Sequence, residues 1–112
     1  MPSKKREVPI ILDDNIEAIY GVKFDKLTSE WSEMSYDLIR FKCELKPTGT
    51  KRFKGSIFLT VASIGADGKI VSSSVIEIAY KTFKSTALID TCVCANKDIL
   101  SLNVYISTFM PC

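Results

Sequence analysis

The sequence predicts an all-β domain, an antiparallel two-sheet sandwich of about seven strands, with a small β-barrel as the alternative. Two observations carry this. Apolar and polar residues alternate with a period of two in several segments, and these segments are joined by turns rather than by helices, at spacings of roughly 10 to 16 residues. The 112 residues suit one domain with one core, and 46% hydrophobic against 25% charged residues is ordinary globular composition.

Residues 1–9 read as a flexible leader, charged and without periodicity, and residues 10–112 as the single sandwich domain. Asp14 with Glu17 three residues later, and Gly21 beyond, allow a helix of one or two turns. From Tyr20, the residues Tyr20, Val22 and Phe24 alternate with Gly21, Lys23 and Asp25 as a strand with one buried face does. The next stretch is ambiguous, since Leu27, Trp31, Met34 and Leu38 recur at spacings of four, three and four, which also lines a helix face.

Beyond it, Ile39, Phe41, Cys43 and Leu45 alternate with charged residues, and Pro47-Thr48-Gly49 ends that strand in a turn. Ile57 to Ile64 is apolar on both faces, as expected of a central strand. Asp67-Gly68 signals a hairpin to a partner strand running from Lys69 to about Tyr80. In that partner, Ser72-Ser73-Ser74 leaves the register loose and suggests a bulge. Thr86 to Cys94 sets Ala87, Ile89, Thr91 and Val93 on one side, with Leu88, Asp90, Cys92 and Cys94 on the other. After the turn at Ala95 to Asp98, the closing strand places Leu100, Leu102, Val104 and Ile106 inward and Ser101, Asn103, Tyr105 and Ser107 outward.

The chain contains no histidine, which removes the commonest general base and zinc ligand and every Ser-His or Cys-His nucleophile pair. The carboxylate pairs Asp13-Asp14 and Glu30 with Glu33 are read as solvated charges. Gly65 and Gly68 sit in a hairpin and open no helix, so no phosphate cradle is expected. Net charge is only +2, from 15 basic and 13 acidic residues, so a site for nucleic acid or another anion would have to be local. Lys46, Lys51, Arg52 and Lys54 around Phe53 form such a candidate, to which Lys4-Lys5-Arg6 could add.

Cys43, Cys92, Cys94 and Cys112 are read first as free thiols. The alternative is a four-thiolate metal site, although the spacing lacks the paired two-residue gaps of common zinc sites. Cys92 and Cys94 lie on one side of a strand at roughly 7 Å, too far for a relaxed disulfide with each other.

The stretch Gly65-Ala66-Asp67-Gly68-Lys69-Ile70-Val71, between two apolar strands, resembles the bacterial FxLYD-type domains, whose core is a strand, an Asp-Gly-Lys turn and a strand. Phe83 and Leu102-Asn103-Val104-Tyr105-Ile106 fall where those domains carry a late aromatic and a final apolar strand. The Phe-x-Leu-Tyr-Asp string itself is absent. The resemblance implies an immunoglobulin-like sandwich of accessory role and carries over no functional residue.

The expectation is therefore a non-enzymatic interaction or structural module, acting through edge strands or face-to-face dimerisation with a protein partner or a second copy. No cofactor and no small-molecule substrate is expected. No apolar run approaches the roughly 18 residues of a membrane span, and Lys4-Lys5-Arg6 is followed by too short an apolar stretch for a secretory signal. A chain of this length alone would be cytoplasmic, whereas a domain excised from a longer secreted protein would be extracytoplasmic.

Overall fold

The computed structural model describes residues 8–12, 16–31, 38–48, 55–79, 86–95 and 99–108. These form β1 (Ile10–Leu12), α1 (Ile16–Tyr20), β2 (Val22–Trp31), β3 (Leu38–Pro47), β4 (Ile57–Ile64), β5 (Ile70–Ile78), β6 (Ala87–Cys94) and β7 (Ser101–Ser107). They build an all-β sandwich of two packed sheets, one ordered β1-β7-β4-β5 and the other β2-β3-β6. Every ladder is antiparallel except β1 with β7, which is parallel.

The core is made by the faces that the alternation assigns. Ile39, Phe41, Cys43 and Leu45 of β3 lie beneath Ile57, Leu59 and Val61 of β4 and Leu102, Val104 and Ile106 of β7. β4 is an interior strand with both ladder edges paired, and Leu59 to Ser63 are buried on both of its faces, as its near-continuous apolar run anticipates. Leu100 departs from the expected pattern. It precedes β7 and is 58% exposed, outside the core that the two sheets enclose.

A bulge accounts for the described part of the ambiguous Leu27 to Leu38 stretch, which runs to Trp31 and resumes at Leu38. Asp25 pairs with Glu44 and Thr28 with Lys42, so β2 advances three residues while β3 advances two. The extra residue reverses the phase of β2: Val22 and Phe24 point inward before it, and Ser29 and Trp31 after it. Lys26 within the bulge has φ of 53° and donates its backbone N–H to Asp25 Oδ1. Strand therefore continues through Leu27 to Trp31, while Met34 lies outside the described residues.

Both open sides of the sandwich are laced together. On one side, Val8 and Ser29 exchange bonds, Val8 N to Ser29 O and Ser29 Oγ to Val8 O, before Pro9 O accepts from Leu102 N and the chain joins the other sheet. Val8 and Pro9, within the segment read as leader, thus belong to the fold. On the other side, Ser74 Oγ meets Thr91 Oγ1 at 2.7 Å, and Ser63 Oγ donates to Cys94 O at 2.8 Å. The serines of β5 and β4 form a polar seam to β6 where aliphatic packing would otherwise sit.

The short helix ends at Gly21, whose φ of 66° is the left-handed conformation that favours glycine. Glu17 accepts from Phe24 N at 2.7 Å, and Tyr20 Oη donates to Ile106 O, fixing α1 against the strands. Asp14, read as its capping partner, lies outside the described residues. The β4–β5 hairpin closes over Ala66-Asp67-Gly68, with Gly68 at φ 80° and Gly68 N donating to Gly65 O. Asp67 Oδ1 accepts from Lys69 N, and the bulge expected in β5 falls at Val71, which is skipped as Ser63 pairs with Ser72 and Ile64 with Ile70.

Candidate functional site

The two outer faces of the sandwich differ in chemistry. On the β2-β3-β6 sheet the outward residues are largely charged; like charges stand directly opposite at Lys23 and Lys46 and at Asp25 and Glu44, and the ion pairs form on the diagonals. Arg40 donates from Nε and Nη2 to both carboxylate oxygens of Asp90, at 3.1 and 2.8 Å. Lys46 Nζ reaches Asp25 at 3.2 Å and Glu44 at 3.6 Å, and Lys26 reaches Glu44 at 3.3 Å. Hydrogen bonding from Arg40 holds the Asp90 carboxyl below its ordinary value, and Lys46 does the same for Asp25.

A shallow cleft of about 470 Å³ lies on this face, between Lys26, Thr28, Lys42, Glu44, Leu88 and Asp90. Its carboxylates, Glu44 and Asp90, are already engaged by cations. Leu88 stands on its β6 side, 77% exposed.

Of the basic turn, only Lys46 falls among the described residues; Lys51, Arg52, Phe53 and Lys54 lie outside them. Lys46 is bound in ion pairs with Asp25 and Glu44, which raise its pKa and satisfy its charge within the sheet. The carboxylate candidates Asp13, Asp14 and Glu33 also lie outside the described residues, as do Phe83 and Lys4 to Arg6.

The cysteines separate by strand parity. Cys43 faces the core beside Ile89, and burial, with Glu44 next to it, pushes its thiol up to about 12. Cys92 and Cys94 face outward from β6, opposite Arg40 and Leu38 of β3, and are exposed. Cys43 and the Cys92, Cys94 pair therefore lie on opposite faces of one sheet, and the four-thiolate centre is not assembled. Cys112 lies outside the described residues.

The outer face of the β1-β7-β4-β5 sheet is nearly free of charge. Its rows across the strands are Ser101-Ile64-Ile70, Ile11-Asn103-Ala62-Ser73, Tyr105-Thr60-Val75 and Ser107-Phe58-Glu77. Only Glu77 is charged, and it accepts from Ser56 Oγ. Thr60 is 1% exposed, and its Oγ1 has no hydrogen-bond partner among the described residues.

At the hairpin end, exposed aliphatics flank the Ile64-Gly65 corner, Ile70 and Leu100 each 58% exposed and Val71 43%, while Ile11, 53% exposed, lies on β1 at the other edge of the sheet. Leu100 N donates to Ile64 O at 2.8 Å, and a Cβ on Gly65 would meet Val71 Cγ2 at 3.3 Å, so Leu100 and Val71 flank the Ile64-Gly65 corner. Sequence reasoning missed this group by assigning Leu100 inward. Consecutive Ile70-Val71 after the turn was the available signal, because adjacent strand residues cannot both face one core.

Among the described residues, no helix is long and apolar enough to cross a membrane. No protein-family model, curated protein or solved structure matches the chain.

Proposed function

We propose that the protein is a non-enzymatic interaction module that self-associates through the hairpin end of its four-stranded sheet. The observation that carries this reading is the exposure of Ile70, Val71 and Leu100 around the Ile64-Gly65 corner, at the end of a sheet face whose described rows carry one charge, opposite a face dense in ion pairs.

Several features favour face docking over strand addition. β1 is only three residues long, β2 and β5 carry bulges, and Ser63 and Thr91 tie β6 to the other sheet, all of which blunt an edge. A second copy suits the patch because a two-fold axis sets identical apolar surfaces together, with Asp67 and Lys69 at the hairpin tip left on their rim. A net charge of only +2 adds little repulsion between copies.

The exposed aliphatic surface is small, below the roughly 1,000 Å² that a specific stable interface buries, which corresponds to a weak reversible dimer. The immunoglobulin-like reading rests on the four-plus-three division of the strands. The order within the sheets differs from the constant-type arrangement, because β2 and β3 share a sheet where the second and third strands of that arrangement are divided, and β7 joins the sheet of β1.

Static light scattering over a concentration series tests the proposal. The mean mass should rise toward twice 12.5 kDa at high concentration, with little change on adding salt, and Ile70→Glu should hold it at one chain. A mass that stays at one chain throughout, or association that weakens steeply with salt, would overturn it.

A further inference from the structure

Cys92 and Cys94 form a chemical unit that the dimer patch does not use. They sit two residues apart on the outer face of β6, both exposed, with Arg40 directly opposite Cys92 across the ladder. Strand geometry puts their backbones roughly 6.6 Å apart, whereas a disulfide brings Cβ atoms to about 3.5–4.5 Å, so the two sulfurs stay apart in a regular strand.

An ion placed between them removes the mismatch. Two thiolates on opposite sides of a metal stand about 4.6 Å apart, twice a metal–sulfur bond of about 2.3 Å. Each sulfur lies one bond beyond its Cβ and can lean toward the other to meet that spacing.

We propose that Cys92 and Cys94 form a two-coordinate site for a soft monovalent cation, Cu(I) being the matching chemical class. Soft thiolates select Cu(I), and a two-ligand site leaves Zn(II) short of its four-coordinate shell. Binding exchanges two S–H bonds for two S–metal bonds, releases both protons to solvent and changes no oxidation state. The Arg40 guanidinium adds favourable positive charge beside Cys92, although its hydrogen bonds go to Asp90. Cys43, buried and held protonated, takes no part.

The test is anaerobic competition for Cu(I) against the chromophoric chelator bathocuproine disulfonate, using the full chain. The protein should withdraw one Cu(I) per chain. Cys92→Ser and Cys94→Ser should each weaken retention at least about 100-fold, with an unchanged circular dichroism spectrum, while Cys43→Ala, Cys112→Ser and Ile70→Glu retain the metal. Retention in Ile70→Glu separates this site from the dimer proposal. No withdrawal by the native chain, unchanged retention in Cys92→Ser, loss with Cys112→Ser, or one ion shared between two chains would each overturn it.

Discussion

Cys43 sits between Phe41 and Leu45 on the inner face of β3, where water does not reach to stabilise a thiolate. Its thiol is raised from an ordinary 9.0 to about 12, so as pH rises the unfolded chain gives up this proton first. The stabilising contribution is complete below about pH 9 and is lost as pH climbs toward about 12. Urea midpoints of the native chain should therefore fall from pH 8 to pH 10 more steeply than those of Cys43→Ala; parallel declines would contradict the assignment. Val104 and Asn103 are neighbours of opposite facing, the first 1% exposed in the core and the second on the outer sheet face. Val104→Asp should cost about 3 kcal/mol or more by burying an unpaired charge, and Asn103→Asp about 0.5 kcal/mol or less. Equal losses in chemical denaturation would show that β7 is turned the other way.

Period-two alternation made β3, β6 and most of β7 legible at the scale of the element, because each buries one face and leaves the other in water. β2 was half legible for a specific reason. Its bulge inserts one residue, so inward positions fall at Val22, Phe24, Leu27, Ser29 and Trp31, and Leu27 and Trp31, four apart, match the first step of the helical spacing that Met34 and Leu38 continue. Ser29 hid the pattern further, since a hydrogen-bonded serine fills an inward position where an aliphatic residue would have marked the strand. Lys26 provides a test of the bulge. A lysine at φ 53° carries left-handed strain, so Lys26→Gly should leave stability level or raise it by up to about 1 kcal/mol. A loss of that size in thermal or urea unfolding would argue against the bulge. Leu100 departs from the alternation because it precedes β7, which begins at Ser101, and lies outside the core.

The whole molecule separates two surfaces that a single sequence does not separate by inspection. Lys46 looked like part of a basic turn, yet register brings Asp25 and Glu44 to it, so its charge is spent inside the sheet. Which charges cancel depends on cross-strand pairing, and pairing depends on the bulge. The same register collects uncharged residues on the four-stranded face and leaves Ile70, Val71 and Leu100 exposed around its hairpin end. The account stands on the claim that association uses this face and not the charged one. Sedimentation velocity of Ile70→Glu and Leu88→Glu, each against the native chain, addresses it directly. Ile70→Glu should abolish the dimer, while Leu88→Glu, equally conspicuous but on the opposite sheet, should leave the dissociation constant unchanged. A dimer that survives Ile70→Glu and is lost with Leu88→Glu would contradict the account.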